Sequence, residues 1–298
     1  MLITVFTPTY NRAHLLPRLY ESLCKQTFKD FEWVIVDDGS VDETRKIVSS
    51  FVHDNQSSPP GGIRGGLRYF YQENGGKHRA INRGVKEAKG ELFFIADSDD
   101  WLPENALEIV AEEFEKIKDD KTIAGVAGLD CYDKGGVVGS GLPKETIDCN
   151  AIDIRLKHHV KGDLKEVFRT SVLREFPFPE IDGERFCPEQ LVWFRIAQNY
   201  KLHYFNKPIY IAEYQEHGIT SGITKARMNS PIASMMTYAE LNGYDIPFAS
   251  KMKAAINYWR FRFCYKGTSE IPKLPWWWVW TAPLGYIMHR RDVRLCKG

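Results

Sequence analysis

The feature that most constrains the fold is a regular alternation of strand and helix patterns over about the first 120 residues. Four short apolar segments predict strands, at 2–7, 31–37, 67–71 and 91–97. Each is followed by helical spacing or cap residues, at 12–26, from 41, at 77–89 and from 103 to 118. This order predicts an α/β fold with a mostly parallel sheet flanked by helices. Because such sheets bind ligands at the carboxyl ends of their strands, the candidate site comprises residues 7–12, 37–42 and 97–100.

The pattern is looser in the second half of the chain. Strands are predicted at 123–132, 137–141, 202–205 and 209–214, and helices at 163–175 and 188–200. Residues 224–266 predict helices with a turn near 243–247. The sequence therefore predicts one domain over 1–220, with two halves that meet near residue 110, and a helical extension over 221–298.

The overall charge conceals a split between the two ends of the chain. Forty Lys and Arg against 39 Asp and Glu give a net charge of +1, which excludes a bulk nucleic-acid binder. Residues 251–298 contain ten basic and two acidic residues and five of the eight Trp, so they carry +8 and residues 1–250 carry −7. The Trp-rich, basic segment 270–298 predicts peripheral membrane contact. The alternative is that its Trp cluster packs on the rest of the protein or across a homodimer interface.

Cysteine spacing and hydropathy indicate the compartment. The six Cys lack C-x-x-C spacing, which disfavours a structural zinc site and fits reduced thiols. No run of about 18 apolar residues predicts a membrane-spanning helix. Met1 leads directly into the first strand, without a signal-peptide pattern. We expect a cytoplasmic protein. If its aromatic segment 270–298 binds lipid, we expect the protein at the cytoplasmic face of the membrane.

Three carboxylates lie within the four residues Asp97–Asp100, directly after the fourth predicted strand. Carboxylates this close repel one another unless a cation or hydroxyl groups satisfy them. Their oxygens suit Mg²⁺ or Mn²⁺, which commonly bridge to a diphosphate. The alternative is capping of the helix predicted from Pro103, which needs only one acidic residue. We therefore favour a metal site.

The loops after the first two strands carry polar residues that fit a nucleotide. The first contains Thr7, Thr9 and Arg12, without the glycines of a dinucleotide-binding motif. The second contains Asp38, whose carboxylate suits a base or ribose, although an Asx turn explains the tetrapeptide nearly as well. Lys77 follows two glycines without P-loop spacing, so it either approaches a diphosphate or is a solvated lysine.

Two residues of the second half are further candidates. Glu189, at the start of the predicted helix 188–200, either complements the helix dipole or acts as a general base. His217 is a candidate third metal ligand or phosphate contact, although a lone loop histidine is more often neither.

Taken together, these motifs resemble those of the family 2 inverting glycosyltransferases, which have a GT-A fold and use nucleotide-sugar donors. The resemblance covers about residues 1–110 and consists of TPTYNR, VIVDDGSVDET, the spaced set Asn74, Gly76, Ala80, Asn82, Gly84 and Ala88-Lys89-Gly90, and FIADSDDWLPENAL. Each motif is weak alone, but their shared order and spacing is specific. The resemblance is looser from 120 to 220 and absent beyond 225.

The resemblance implies a role for each matching position. Residues 1–110 would be the nucleotide-sugar-binding half and 111–220 the acceptor half of a GT-A catalytic domain. Glu189 would be the catalytic base and would act alone, because Gln190 stands where the family often has a second acid; Asp182 and Glu184 are alternatives. The donor-side roles are a nucleoside pocket lined by Thr7, Thr9, Arg12 and Asp38, a ribose or sugar contact by Asp97, and Mn²⁺ or Mg²⁺ binding by Asp99.

The implied activity is transfer of a sugar from a nucleoside-diphosphate donor, most commonly UDP in this family, to a saccharide hydroxyl with inversion. The acceptor would be linked to polyprenyl diphosphate, in cell-surface polysaccharide synthesis. One alternative is a nucleotidyltransferase, which usually has a Gly-rich loop after the first strand that TPTYNR lacks. The other is a non-catalytic sugar-nucleotide or glycan-binding protein, which only Gln190 favours.

Overall fold

The computed structural model describes residues 1–57, 62–213 and 222–296, which form two compact units. Unit 1 comprises Met1–Gly75, Arg79–Pro177 and Arg195–Tyr214. Unit 2 comprises Gly76–His78, Phe178–Phe194 and Gln215–Gly298. The units do not follow the chain in order, because a short internal segment around Glu189 clusters with the C-terminal helices.

Unit 1 is built on a mixed β-sheet. The described residues contribute eight strands, namely β1 (Ile3–Thr9), β2 (Phe31–Asp37), β3 (Leu67–Tyr71), β4 (Leu92–Ile95), β5 (Ile123–Tyr132), β6 (Thr146–Cys149), β7 (Leu164–Arg169) and β8 (Lys201–Ala212). Their order in the sheet is β3-β2-β1-β4-β7-β5-β8-β6. The first four strands are mutually parallel, whereas β7 is antiparallel to both of its neighbours. The expected α/β class with a mostly parallel first half is confirmed.

Helices alternate with the first four strands and then predominate at the C-terminal end. They are α1 (Leu16–Cys24), α2 (Thr44–Ser57), α3 (Lys77–Glu87), α4 (Ala106–Ile117), α5 (Asp153–Leu156), α6 (Thr170–Glu175), α7 (Glu189–Ile196), α8 (Ile223–Asn229), α9 (Pro231–Gly243), α10 (Phe248–Arg262), a 3-10 helix (Trp276–Thr281) and α11 (Ala282–Leu295). No helix in the described ranges combines the length and the apolar content needed to cross a bilayer.

The order of the first four strands creates a crevice at their carboxyl ends. The chain runs from β1 outward through β2 to β3 and then returns to β4 on the other side of β1. This reversal is a topological switch point, where the loops after adjacent strands diverge and leave room for a ligand. The loops after β1 and β4 therefore flank the crevice, and the loop after β2 lies beside them.

Strand β1 extends two residues further than the apolar run 2–7 predicts. It continues through Pro8 to Thr9, because β2 still pairs alongside as far as Asp37. Proline lacks the N–H that a second neighbour would need, but pairing with β4 has already ended at Phe6. This extension carries Thr9 to the edge of the crevice.

The core of unit 1 is apolar but contains one buried charge network. Apolar side chains of β1, β2 and β4 pack against those of α1 and α4. Fully buried Glu32 accepts hydrogen bonds from Arg68 Nη2 at 2.6 Å, Thr4 Oγ1 at 2.7 Å and the Lys89 N–H at 2.7 Å. These donors satisfy both oxygens of a carboxylate that would otherwise be costly to bury. The network ties β1, β2, β3 and the end of α3 together.

Three predictions for the second half are wrong. Residues 164–169 are strand β7 and only 170–175 are helical, because pairing with β4 and β5 overrides helical spacing. Residues 137–141 form a turn-rich loop with one isolated bridge, and strand β6 at 146–149 has only four residues and little apolar signal. The two strands predicted at 202–205 and 209–214 are a single strand, β8.

The helices of unit 2 have their own small core. Met235 of α9 packs with Tyr258 and Phe261 of α10, and partly buried aromatic and aliphatic residues surround them. Asp292 of α11 is buried and forms an ion pair with Arg260 of α10. These contacts hold α9, α10 and α11 in a fixed arrangement.

Candidate active site

The switch-point crevice of unit 1 brings together loops that are distant in sequence. Asp38 donates its backbone N–H to the Thr9 carbonyl at 2.8 Å, which joins the ends of β1 and β2. Asn11 adds two bonds to the second loop: its N–H donates to Ser40 Oγ at 2.8 Å, and its Oδ1 accepts from the Val41 N–H at 2.8 Å. The TPTYNR and DDGS motifs are therefore parts of one surface.

The first loop offers one buried hydroxyl and one guanidinium. Thr9 Oγ1 is buried and has no hydrogen-bond partner among the described residues, a state that a polar ligand would relieve. Half-buried Arg12 has no side-chain partner in that part of the chain either. Thr7 differs, because it is fully buried and its hydroxyl accepts from Trp33 Nε1 at 2.9 Å. The structure gives Thr7 a place in the core beside the crevice.

The second loop holds Asp38 in a defined orientation. Asp37, and not Asp38, forms the Asx turn: its Oδ1 accepts from the Ser40 N–H at 2.8 Å. Asp38 Oδ1 accepts from Gln72 Nε2 at 2.8 Å and from the Gly75 N–H at 3.0 Å. Gly39 has φ +89°, and a Cβ there would lie 2.7 Å from the backbone N of Asn74. The loop can thus close over Asp38 only with glycine at position 39.

The acidic loop after β4 is not a helix cap. Helix α4 begins at Ala106, and its N-cap Asn105 makes no side-chain capping bond. Asp97 and Asp99 are half-buried and Asp100 is buried. Burial and then the charge of Asp97 raise the pKa of Asp100 to about 6, against the opposing effects of Lys165 and of the Glu213 N–H. Burial is the main cause of this raised pKa and the negative charge of Asp97 adds to it, so a cation beside these carboxylates is favourable.

Two side chains that the sequence did not single out position this acidic loop. The hydroxyl of fully buried Tyr210 accepts from the Asp97 N–H at 2.7 Å. Arg18 Nη2 donates to the Asp99 carbonyl at 2.6 Å and to Glu213 Oε2 at 2.5 Å. Strand β8 therefore holds the backbone before Ser98, and helix α1 holds the backbone after it.

The donor set fits a divalent cation that shares its ligands with a diphosphate. In the described part of the chain no three His, Cys, Asp or Glu side chains converge to form a complete metal site. Mg²⁺ and Mn²⁺ at phosphate-transfer sites need only one or two carboxylates, because phosphates and waters supply the other ligands. Asp99 and Asp97 meet that requirement at the crevice. His217, the predicted third ligand, lies outside the described residues.

A second buried carboxylate lies on the strand next to Tyr210. Asp130 of β5 pairs in register with Tyr210 of β8, and its Oδ1 has no hydrogen-bond partner in the described ranges. Burial raises the pKa of Asp130 to about 7, although Lys165 opposes the shift. The Lys165 ammonium lies 3.5 Å from the centre of the Tyr210 ring. An Asp in the otherwise apolar strand IAGVAGLDCY was the sequence signal for this group.

In unit 2 the predicted base forms an ion pair with the predicted phosphate-binding lysine. Glu189 begins α7, and its Oε1 lies 2.8 Å from Lys77 Nζ, with each side chain about one third exposed. Gly76 makes this approach possible: it has φ +99°, and a Cβ would lie 1.9 Å from the Arg185 carbonyl oxygen. Gln190 points elsewhere and accepts from Arg227 Nη2 at 3.2 Å. Glu189 is thus held as a half-exposed carboxylate beside a cation.

Glu184, one alternative to Glu189, has a structural role. It is buried, and its two carboxylate oxygens accept from the N–H groups of Ile232 at 2.6 Å and Ala233 at 2.9 Å, in the first turn of α9. Burial raises its pKa, and the two backbone bonds oppose that shift. A carboxylate committed to a helix N-terminus is a poor proton acceptor for a substrate. Asp182, the other alternative, is exposed.

Comparison with known proteins identifies the strand-rich region. Residues 4–136 match the family model "Glycosyl transferase family 2". Glycosyltransferase GlyG of Streptococcus pneumoniae is 36% identical over 126 residues, which are 42% of this chain and 38% of that protein. The GalNAc(5)-diNAcBac-PP-undecaprenol beta-1,3-glucosyltransferase of Campylobacter jejuni is 28% identical over 231 residues, 75% of this chain and 68% of that protein. The chain thus spans well under two thirds of the pneumococcal relative.

Solved structures extend the likeness in fold over most of the chain. S. aureus TarS in complex with UDP has a TM-score of 0.62 at 22% identity, over 89% of this chain and 73% of that one. Mannosyltransferase PcManGT from Pyrobaculum calidifontis, in complex with GDP-Man and Mn²⁺, has a TM-score of 0.55 at 18% identity, over 98% and 75%. Residues 4–136 of the chain therefore match glycosyl transferase family 2, and the chain has the mixed α/β fold of GT-A glycosyltransferases.

Proposed function

We propose that this protein transfers a sugar from a UDP-sugar to a hydroxyl of a saccharide acceptor in cell-surface polysaccharide synthesis. The observation that carries the proposal is the convergence of three polar loops at the switch point of a family 2 domain. Thr9 and Arg12 offer there a hydroxyl and a guanidinium that have no side-chain partner among the described residues, and Asp38 is a fixed acceptor for a base or ribose. TarS, which shares the fold, binds UDP.

The same proposal includes a divalent cation, Mn²⁺ or Mg²⁺, held by Asp99 with Asp97 beside the donor. When bound, the cation supplies positive charge that stabilises the departing nucleoside diphosphate. The chain's own contribution is to fix the loop, since Tyr210 and Arg18 hold the backbone around Asp97 and Asp99. The negative charges of Asp97 and Asp99 beside Asp100 support this role, because they add to the effect of burial in raising the pKa of Asp100. PcManGT, a structural neighbour, binds Mn²⁺.

Glu189 is the proposed base of an inverting reaction. Its carboxylate takes the proton of the acceptor hydroxyl as that oxygen bonds to the anomeric carbon, whose bond to the diphosphate breaks on the opposite face. One such displacement inverts the stereocentre and needs no enzyme nucleophile. The ion pair with Lys77 supports this role, because the adjacent ammonium keeps the Glu189 carboxylate oriented before the acceptor binds.

The acceptor is proposed to be linked to polyprenyl diphosphate. The Campylobacter relative, aligned over 75% of this chain, is named for such an acceptor. A lipid-linked acceptor requires the enzyme to work at the cytoplasmic face of a membrane, by peripheral contact through residues 270–298. The exposed Trp residues of that segment support this location.

Two measurements test the function against its alternatives. Thermal shift against UDP-, GDP- and dTDP-sugars, with and without Mn²⁺, should give the largest rise in Tm with a UDP-sugar plus Mn²⁺. Radiolabelled transfer to a water-soluble saccharide acceptor should then follow the same donor. Formation of a nucleotide sugar from a sugar phosphate and UTP would support a nucleotidyltransferase instead. Donor binding with neither transfer nor donor hydrolysis would support the non-catalytic alternative.

A further inference from the structure

The 3-10 helix of unit 2 exposes large aromatic side chains from a rigid base. Trp276 is 81% exposed, Trp277 57% and Trp280 53%, whereas Trp278 is 5% exposed. Trp278 is anchored: its ring packs against Phe248, with centroids 5.4 Å apart, and its carbonyl accepts from Trp259 Nε1 at 3.2 Å. A soluble surface rarely exposes this much rigid apolar area without a partner.

Helix α11 continues the apolar surface. Its buried side is set by Gly285, where a Cβ would lie 2.5 Å from Trp259, and by Asp292, which pairs with Arg260. Another side of α11 is exposed at positions three and then eight residues apart, namely Leu284 at 45%, Ile287 at 64% and Leu295 at 69%. We call the tryptophan face the set Phe248, Trp276, Trp277, Val279, Trp280, Leu284 and Ile287.

The charges next to the tryptophan face are positive. Arg290, Arg291 and Arg294 of α11 are exposed, and no ion pair involving them occurs in the described ranges. The one carboxylate of α11, Asp292, is buried and neutralised by Arg260. The surface therefore combines apolar aromatic area with uncompensated positive charge.

A groove beside the exposed Trp residues contains a further cation. It has a volume of about 480 Å³ and is lined by Phe248, Lys251, Trp277, Trp278 and Trp280, together with the end of α9. Lys251 Nζ has no hydrogen-bond or ion-pair partner in the part of the chain that the structure describes. A lysine that lines the same groove as three indole rings suits an anionic headgroup with aliphatic chains next to it.

We propose that the tryptophan face docks onto an anionic phospholipid membrane, with Lys251 and the three arginines of α11 against lipid phosphates. Indole rings favour the depth of the headgroups, and Lys and Arg favour anionic lipid. A second copy of this chain is a poorer occupant, because it would bring the same positive charges against themselves. The docking deepens the proposed function by naming the surface and lipid charge that hold the enzyme near a lipid-linked acceptor.

Vesicle co-sedimentation of the full chain tests the proposal. We expect binding to vesicles of phosphatidylcholine mixed with phosphatidylglycerol, weaker binding to phosphatidylcholine alone, and a marked loss on raising the salt from about 0.1 to 0.5 M. Arg290→Ala/Arg291→Ala/Arg294→Ala should lower the partition coefficient on the mixed vesicles about 100-fold. Trp276→Ala/Trp280→Ala should lower it at least tenfold on both lipids. Tyr71→Ala removes an exposed aromatic of unit 1 and is the matched control, with binding unchanged.

Two outcomes would overturn the docking proposal. One is that the wild-type protein binds none of the vesicles at low salt. The other is that the wild-type protein is a dimer whereas Trp276→Ala/Trp280→Ala is a monomer, which would mean that a second copy covers the tryptophan face. Failure of the proposed function looks different, because it would abolish transfer to a water-soluble acceptor while vesicle binding persisted. The Trp and Arg variants should retain that soluble transfer.

Discussion

The strand ends of unit 1 and the C-terminal helices of unit 2 present opposite kinds of surface. At the strand ends, loops from three parts of the chain bring carboxylates, a hydroxyl and a guanidinium into one crevice, and hydrogen bonds fix the two loops that carry the carboxylates. The C-terminal helices expose rigid aromatic and aliphatic side chains with arginines nearby. Directional bonds suit a ligand whose atoms must be oriented, whereas an apolar face with diffuse charge suits a fluid surface. We therefore assign donor binding and leaving-group chemistry to the strand ends, and attachment to the membrane to the C-terminal helices.

The largest effect is expected from the acidic loop. Asp99→Ala should lower transfer about 10²–10³-fold, because it removes the proposed metal ligand and with it charge stabilisation of the leaving group. The Mn²⁺-dependent rise in Tm with a UDP-sugar should disappear as well. Asp119→Asn, at an exposed position of unit 1, is the matched control and should retain both. Vesicle binding should be unchanged in the two variants. A loss of vesicle binding in Asp99→Ala would contradict the assignment of membrane attachment to the C-terminal helices alone.

A substitution at Glu189 tests whether unit 2 provides the catalytic base as well as the membrane-binding surface. Glu189→Gln keeps the shape but cannot accept the proton, so transfer should fall about 10²–10⁴-fold while donor binding persists. Asp182→Asn, an exposed acid in the same segment, should remain active. The opposite pattern, with Asp182→Asn inactive and Glu189→Gln active, would assign the base to Asp182. Initial-rate kinetics and thermal shift with the donor separate the two readings.

Tyr210 and Tyr204 form a matched pair on strand β8. Both are fully buried, but only the Tyr210 hydroxyl has a hydrogen-bond partner in the described residues, the Asp97 N–H. Tyr210→Phe should lower the free energy of unfolding by about 1–2 kcal/mol and weaken apparent Mn²⁺ affinity several-fold in calorimetry with UDP. Tyr204→Phe should be neutral or slightly stabilising and leave Mn²⁺ affinity unchanged. Equal effects of the two substitutions would show that the hydroxyl of Tyr210 positions nothing.

The smallest effect on sugar transfer is expected at Asp130, because its titration changes the stability of unit 1 and not the chemistry. Burial raises the pKa of Asp130 to about 7, against about 3.9 in an unfolded chain. Between these values the folded protein keeps a proton that the unfolded chain has lost, so the free energy of unfolding falls as pH rises from about 4 to 7. Asp130→Asn has no carboxylate to titrate and does not lose stability in this way. Its free energy of unfolding relative to that of the wild type should therefore rise across that pH window, by up to about 4 kcal/mol, and stay constant above it. Metal-free thermal unfolding at pH 5 and pH 8 checks this; an equal difference at both values contradicts it.

Much of unit 1 was predictable because its signals are local. Strands β2, β3 and β5 have the predicted bounds, since each is a short apolar run between turn residues. The parallel order then places the ends of β1, β2 and β4 together, which is why Thr9, Asp38 and Asp97 were found from sequence. Strand β7 was missed because its pairing partners, β4 and β5, are distant in the chain and no local pattern records them.

The sequence by itself determined the alternating α/β order, the family motifs and the unequal distribution of charge, since all three depend on residues close together in the chain. Only the tertiary structure decided that Glu184 caps α9, that Glu189 pairs with Lys77, and that Tyr210 and Arg18 fix the acidic loop. It also decided which Trp is an anchor and which Trp residues are exposed, a distinction that four Trp within five positions cannot reveal. The physical reason is that burial and hydrogen-bond partners arise from packing between elements, which local sequence does not encode.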